Sequence, residues 1–341
     1  MKIEHDIDIE TGQKFIIDRF RPEDAEGIAH LFFAEYGAGY PFDTYYDPER
    51  IREENEKGNI HSVVARTPRG DIIGHGALYR SSPPHQGLYE IGQYIIRPNY
   101  RTTFAAYKIN AFIAEELVAI VRPDGIFGEA VSHHVATQKT CALIGMKDVA
   151  IEIDLMPASA YEKARNASGR VSCLIAFRSF HDRPQEVFIP SVYQQEIAYI
   201  LEDVGLKRTL TLSSEVWPKG IKTDVSAAYF SHAGVGRFNV AAVGSDFAVV
   251  AENLEKEGVR NGIVVFQYFL SLDKPWVGQA IESLREKGYF FGGYVPRWFD
   301  ADAVLMQKIR TAPDFEAINL YSQKAKKLLD FIRSDWERTC L

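Results

Sequence analysis

The sequence predicts an α/β (α+β) protein of two domains, each a mixed, mostly antiparallel sheet flanked by helices. Amphipathic helical patterns alternate with short runs of β-branched and aromatic residues along the chain. The 341 residues exceed the usual size of one domain. After about residue 185 a similar order of predicted elements is repeated, which favours a tandem arrangement.

Composition and charge exclude several classes of protein. Apolar residues make up 46% and charged residues 25%, an ordinary globular composition. The formal net charge of −7 argues against a nucleic-acid partner or an anionic membrane surface. The first residues are charged and no apolar run is long enough to cross a bilayer, so we expect a cytoplasmic protein with no membrane partner. The three cysteines are odd in number and widely spaced, which predicts neither a disulfide framework nor a zinc cluster.

The first half begins with a predicted strand at 15–18. A helix follows from Arg21 to Phe33, because a proline and two acidic residues occupy its first turn. The turn at 67–70 predicts a hairpin. The remaining elements predicted in this half are a helix at 48–57, strands at 61–66, 71–80 and 88–97, a helix at 104–121, a strand at 125–131, a helix at 134–144, and strands at 147–155 and 171–180.

A boundary is predicted at the segment Arg183-Pro184-Gln185, which gives domains 1–182 and 183–341. We expect Ser245 to cap a helix and the apolar stripe of the last helix to cover the core. The elements predicted in this half are a helix at 192–204, a strand at 206–212, a hairpin at 224–231 and 236–243, a helix at 245–257, a strand at 262–270, a helix at 275–287, strands at 289–295 and 302–309, and a helix at 322–338.

One segment of the first half carries a family resemblance. Residues 94–101 form the end of an apolar strand, then Pro98, Tyr100 and Arg101, then a helix. This order resembles the acyl-CoA signature of the GNAT (Gcn5-related) N-acetyltransferase superfamily. Further similar segments are the strand at 125–130 and the residues 143–146, so the resemblance covers about 14–180. It implies a GNAT-like first domain that uses acetyl-CoA as co-substrate.

The resemblance also implies where acetyl-CoA binds. A helix N-terminus offers unpaired N–H groups and a positive dipole end to a diphosphate. The pantetheine amides can pair with the end of a strand. The residues assigned to acetyl-CoA in this way are Ile95, Ile96, Arg101, Thr102, Thr103, Phe104, Ala105 and Ala106.

This sequence departs from the family pattern at two positions. Phe104 replaces the first glycine of the family loop, and a glycine there lets the backbone approach phosphate closely. Cys141 stands where many relatives carry the tyrosine that protonates the leaving thiolate. A thiol could donate that proton, although an inert, buried cysteine is the alternative.

Two carboxylates are candidate bases. An alkyl ammonium has a pKa of ~10, so a base that removes its proton speeds acetyl transfer. Glu90 lies on the strand that leads to the acetyl-CoA loop, six residues before Ile96, and Glu129 lies on the next strand. The alternative for each is a capping or pairing role at the sheet edge.

His134 is a further candidate, since histidine titrates near neutrality. Its neighbour His133 should point to the opposite face of the strand, so the two are not expected to chelate one metal. The sequence contains no spaced set of metal ligands, and we expect no metal site.

The segment 36–46 lies where the family binds its acceptor, and its aromatic residues suit a pocket wall for an amine. A loop packed over an apolar sheet edge is the alternative. The residues assigned to the acceptor are Tyr36, Tyr40, Phe42, Asp43 and Tyr45, with Asp43 as the counter-charge.

The first functional hypothesis is therefore acetyl transfer from acetyl-CoA to a primary amine of a small molecule or peptide. A non-catalytic acyl-CoA-binding module and a tandem aminoacyl transferase are the alternatives. The second half has no cation where its strand at 236–243 passes into a helix, which predicts a GNAT-like domain that binds no CoA. The identity of the acceptor and the oligomeric state stay open.

Overall fold

The computed structural model describes residues 2–40, 42–158, 169–214 and 216–340. The chain divides into two compact units, one made of residues 1–82 and 89–126, the other of residues 83–88 and 127–341. Strands and helices alternate in both, and most strand pairs are antiparallel, which confirms the predicted fold class. Within the described ranges, no helix has both the length and the apolarity that crossing a bilayer requires.

The first unit contains the elements up to the start of β5, whose last five residues belong to the second unit. Its strands follow the order β1-β2-β3-β4, each antiparallel to the next. A π-helical turn, Ile113–Leu117, joins α3 to α4. The elements are β1 (Ile16–Arg19), α1 (Asp24–Tyr36), α2 (Pro48–Glu56), β2 (Ile60–Arg66), β3 (Ile72–Tyr79), β4 (Leu88–Ile96), α3 (Ala105–Phe112), α4 (Val118–Val121) and β5 (Gly125–Val131).

Helices cover both faces of the first sheet. Phe32 of α1 packs edge-to-face against His75 of β3, with ring centroids 5.5 Å apart. Ile109 of α3 lies over Gly74 and Gly76 of the same strand. Because neighbouring strand residues point to opposite faces, α1 and α3 lie on opposite sides of β3.

The second unit contains a long sheet in the order β5-β7-β6-β13-β14-β12-β11-β10 and a separate parallel pair, β8-β9. Its elements are α5 (Ala136–Leu143), β6 (Lys147–Pro157), β7 (Arg170–Ser179), β8 (Gln185–Ile189), α6 (Gln194–Leu201), β9 (Arg208–Leu212), β10 (Asp224–Phe230), β11 (Val235–Ala242), α7 (Phe247–Arg260), β12 (Val265–Ser271), α8 (Val277–Glu286), β13 (Phe290–Val295), β14 (Ala303–Ile309) and α9 (Gln323–Arg338).

Strands from both predicted domains share this sheet. Gly293 of β13 pairs with Ala150 of β6, and a Cβ at Gly293 would lie 2.4 Å from the Cα of Ala150, so the approach requires glycine. The predicted boundary at residues 182 and 183 falls within the second unit, between β7 and β8. The division into domains 1–182 and 183–341, and the tandem repeat, remain predictions.

Most predicted elements are present, but one strand was not predicted and two details were wrong. The strand that was not predicted is β8, which follows Arg183 and Pro184 directly and pairs with β9. The predicted helix at 104–121 is interrupted by the π-helical turn. Helix α7 begins at Phe247, and its N-cap is Asp246 rather than Ser245. The Ser245 hydroxyl does not cap the helix, and it donates to the Ile221 carbonyl oxygen at 3.3 Å.

Candidate active site

The acetyl-CoA residues predicted from the sequence lie together in the first unit, at the end of β4. Ile95 and Ile96 are buried and pair with β3. Arg101 follows a short 3-10 turn, and its Nε donates to the Ile96 carbonyl oxygen at 3.1 Å. A second guanidinium nitrogen of Arg101 bonds to the Glu35 carboxylate of α1. These two bonds fix a partly exposed guanidinium between the strand end and the start of α3.

The loop from Arg101 to α3 closes with a hydroxyl cap. The Thr103 hydroxyl donates to the Tyr100 carbonyl oxygen at 2.7 Å and accepts from the Ala105 N–H at 3.2 Å. This cap satisfies one of the N–H groups that a helix start leaves unpaired. The remaining first-turn amides and the positive end of the helix dipole suit an anionic ligand.

Phe104 does not obstruct this loop. Its backbone has φ −80° and ψ 13°, a conformation open to any residue, so glycine is not required here. Its side chain is 75% exposed. The departure from the family glycine is therefore accommodated by a loop that turns the ring outward.

A β-bulge interrupts β4 before this loop. The register shifts between the pairs Ala77–Gly92 and His75–Ile95, which leaves one extra residue on β4. Gln93 lies at this bulge, and its backbone is left-handed, with φ 58°. A non-glycine residue holds such a conformation only when its surroundings fix it.

A buried polar network holds the backbone of Gln93 in this conformation. His75 is fully buried, and its Nδ1 lies 3.0 Å from the Gln93 carbonyl oxygen and its Nε2 3.0 Å from the Ser62 hydroxyl. Because a carbonyl can only accept, Nδ1 carries the proton, and Ser62 donates to Nε2. Burial lowers the His75 pKa to about 4, so the ring is neutral at pH 7. The Tyr45 hydroxyl donates to the Gln93 side chain and completes the network.

Glu90 lies on β4 ahead of the bulge, directly opposite Tyr79 of β3. The Tyr79 hydroxyl donates to the Glu90 carboxylate. Burial raises the pKa of Tyr40 and of Tyr45 well above the usual value, and the charge of Glu90 raises both further. Glu90 therefore lies within electrostatic range of two tyrosines of the aromatic segment 36–46.

The aromatic segment divides into packed and exposed parts. Tyr45 is buried and stacks on Phe32, with ring centroids 4.1 Å apart, so this residue fits the packed alternative. Tyr36 and Tyr40 are half-buried, with rings 4.9 Å apart, and Phe42 is about half exposed.

Tyr36 also lies near the guanidinium. Its pKa is raised to about 12, mainly by burial and also by the Glu35 charge, while the Arg101 charge acts in the opposite direction. The segment therefore extends from the Arg101–Glu35 pair to Glu90. Asp43 lies apart from this cluster: it is exposed, and its carboxylate bonds to the Lys2 Nζ at 2.7 Å.

The other catalytic candidates lie in the second unit. Glu129 pairs with Arg237 at 3.2 Å, and Arg237 also donates to the fully buried Glu152 at 2.7 Å. Gln267 bonds to both Arg237 and Glu152. These contacts support the pairing alternative for Glu129.

His134 is exposed, and its Nδ1 accepts from the Ala136 N–H at 3.3 Å, at the start of α5. Cys141 is buried on α5, and burial, with a contribution from Asp148, raises its thiol pKa to about 12. A donor of that pKa would give its proton only uphill to a thiolate whose own pKa is ~8.5. The contact of His134 is that of a helix-capping residue, and the burial of Cys141 matches the inert alternative. A catalytic role for either residue stays a prediction.

The corresponding connection in the second unit is filled by the chain itself. Gly244 precedes α7, and a Cβ there would lie 2.2 Å from the Thr223 nitrogen. The Gly244 N–H donates to the Thr223 hydroxyl at 3.1 Å. The Thr223 N–H and hydroxyl both donate to Asp246, at 2.8 Å each, and these bonds hold the Asp246 pKa below its usual value.

No protein-family model matches this chain, and no curated protein matches it in sequence. Among solved structures, an acetyltransferase of the GNAT family from Staphylococcus aureus Mu50 is 15% identical, with a TM-score of 0.36, over 49% of this chain and 99% of that one. The ribosomal-protein-S5-alanine acetyltransferase of Vibrio fischeri is 13% identical, with a TM-score of 0.38, over 51% and 97%.

A GNAT superfamily phosphinothricin acetyltransferase from Sinorhizobium meliloti, solved with acetyl-CoA, is 14% identical, with a TM-score of 0.37, over 49% and 89%. All three of these structures are acetyltransferases, and two of them are described as GNAT proteins.

The sequence did not reveal several residues of this site. They are Glu35, Ser62, His75, Tyr79 and Gln93. A weak signal existed for His75 and Gln93, since a histidine and a glutamine inside apolar strands need buried partners.

Proposed function

We propose that this protein is an acetyl-CoA-dependent N-acetyltransferase whose site lies in the first unit. The observation that carries the proposal is that the candidate acetyl-CoA loop, the aromatic segment and the candidate base lie next to one another along β4. A fixed guanidinium and a helix start at Arg101 to Ala105 are connected through the aromatic segment to the carboxylate of Glu90. An anion-binding end and a basic group on one strand are what a transferase using a thioester donor needs.

Acetyl-CoA, when bound, supplies an acetyl thioester. Arg101 and the first-turn amides of α3 would hold its diphosphate, and the end of β4 would hold its pantetheine amides. Glu90 would take a proton from the acceptor's ammonium group, which frees the nitrogen lone pair to attack the thioester carbonyl carbon. The carbon–sulfur bond would then break, the nitrogen would lose its second proton to water, and the thiolate would take a proton from water.

We propose a primary amine as the acceptor, in a small molecule or peptide. The half-buried rings of Tyr36 and Tyr40 and the Glu90 carboxylate make a surface that attracts a cation. Asp43 is not needed for this role because its carboxylate is already paired with Lys2. The second half would contribute no second CoA site.

Calorimetric titration of acetyl-CoA tests the binding half of the proposal. Arg101→Glu reverses a charge-assisted contact worth about 1.5–3 kcal/mol, so affinity should fall at least about tenfold. The matched control is Arg69→Glu, since Arg69 is an exposed arginine of the same unit paired with Glu10. Equal affinities for wild type and Arg101→Glu would remove this loop from the site.

A screen of primary amines for thiol release tests the catalytic half. Turnover with at least one amine supports the transferase. Tight binding of acetyl-CoA without turnover on a broad amine panel would instead favour the non-catalytic acyl-CoA module.

A further inference from the structure

Two exposed aromatic side chains lie beside the proposed diphosphate site. Phe104 is 75% exposed and Tyr107 is 63% exposed. They stand three residues apart at the start of α3, a spacing that places both on one side of a helix. Ala105 and Ile109, on the opposite side of the same turn, are fully buried.

The exposure of these rings is not explained by packing within the first unit. The buried stripe of α3 already fits the sheet, so neither ring is needed for the core. Lys108, the residue after Tyr107, places its Nζ 5.5 Å from the centroid of the Phe15 ring and not over either exposed ring. Flat aromatic faces in water favour a flat, apolar-faced ligand, because stacking removes both surfaces from solvent.

We propose that Phe104 and Tyr107 form a stacking platform for the adenine ring of the acyl-CoA donor. The proposal rests on the proposed function, which places the diphosphate at Arg101 and the first-turn amides. The pantetheine arm leaves the diphosphate toward β4, so the adenosine leaves it on the other side, outward across the first turn of α3. Phe104 and Tyr107 are the exposed aromatic side chains there.

This platform gives Phe104 a function in binding the donor. The family glycine allows close approach of the backbone to phosphate, whereas the ring at this position adds a surface for the nucleobase. The protein should therefore select donors that carry adenosine over acyl-phosphopantetheine donors that end at the phosphate.

The test compares acetyl-CoA with acetyl-phosphopantetheine in calorimetric titrations of the full chain. Removing a base-stacking ring weakens binding by about 5- to 100-fold. Phe104→Ala and Tyr107→Ala should each weaken acetyl-CoA binding by about fivefold or more and leave acetyl-phosphopantetheine affinity unchanged. Ile120→Ala is the matched control, because Ile120 is also an exposed apolar residue of this unit, 55% exposed. It should change neither affinity.

Phe104→Trp supplies a second readout. The substituted indole should lose fluorescence when acetyl-CoA binds and keep it with acetyl-phosphopantetheine, measured as a difference from wild type. Wild-type affinity for acetyl-CoA in both alanine variants, or a change in oligomeric state in place of affinity, would overturn the platform and leave the proposed function standing. Failure of wild type to bind acetyl-CoA would instead refute the proposed function.

Discussion

Replacing His75 by asparagine should change how the stability of the protein depends on pH. The ring of His75 is fully buried and neutral, with a pKa of about 4 against an ordinary value of 6.5. Between these two pH values the unfolded chain binds a proton that the folded protein does not. The contribution of His75 to the free energy of unfolding is therefore complete above pH 6.5 and is lost as the pH falls toward 4. Below pH 4 no more of it is lost.

The size of the effect follows from the pKa difference, since one unit corresponds to ~1.4 kcal/mol. His75 should contribute a loss of about 3 kcal/mol between pH 7 and pH 4. In His75→Asn this loss disappears, while the amide can still donate toward the Gln93 carbonyl. The variant should be less stable than wild type at pH 7.5 because a smaller side chain fills the site, and the difference should shrink or reverse by pH 4.

Urea unfolding of both proteins at half-unit steps of pH measures this difference. Because other groups titrate equally in both, the difference of the two curves isolates His75. His5→Asn, which removes an exposed histidine of the same unit, tests whether the effect belongs to the buried ring. Parallel curves for wild type and His75→Asn from pH 7.5 to 4 would refute the neutral, buried ring and the tautomer derived from it.

Three further predictions concern carboxylates. Glu90→Gln should lower turnover about 100-fold or more at neutral pH with little change in acetyl-CoA affinity, and a wild-type rate across the pH range would exclude Glu90 as the base. Glu129→Gln should reduce the free energy of unfolding by about 1–3 kcal/mol through its bond to Arg237 and leave turnover intact, whereas a rate loss at unchanged stability would assign Glu129 to catalysis. Burial raises the Asp154 pKa to about 6, above its ordinary 3.8, so ionisation destabilises the folded state as the pH rises between these values. Asp154→Asn should therefore stabilise the protein by up to about 3 kcal/mol at pH 7.5 with the gain vanishing near pH 4, and urea unfolding that gives the same gain at both pH values would contradict this.

The strands and helices of the site could be predicted because their signals are local. The apolar run before Pro98 and the apolar stripe of α3 are visible within about twenty residues. The hairpin of β10 and β11 was predicted in the same way and is confirmed. The loop that the family resemblance assigns to acetyl-CoA connects β4 to α3, and its role in binding stays a prediction.

The contacts that define the site could not be predicted, because they join distant segments. Arg101 meets Glu35 across 66 residues, and Tyr45 meets Gln93 across 48. The bulge at Gln93 depends on a network that no local propensity encodes, since a left-handed glutamine is fixed by its tertiary partners. The sequence therefore predicted the elements of the site and left its polar connections to the structure.

Strand β8 was missed although its signal is local. A domain boundary was predicted at Arg183-Pro184-Gln185, and the apolar residues Val187, Phe188 and Ile189 directly after it were not recognised as a strand. Strand β8 pairs with β9 in parallel, so no hairpin turn in the sequence indicates the pairing.

A crystal structure of this protein soaked with acetyl-CoA tests the central claim most directly. The account predicts one acetyl-CoA per chain, with its diphosphate at Arg101 and the first-turn amides of α3. The start of α7 should stay empty, because segment 221–223 fills that turn and Asp246 repels phosphate. Acetyl-CoA bound beside Ser245, or bound with its diphosphate away from Arg101, would contradict it.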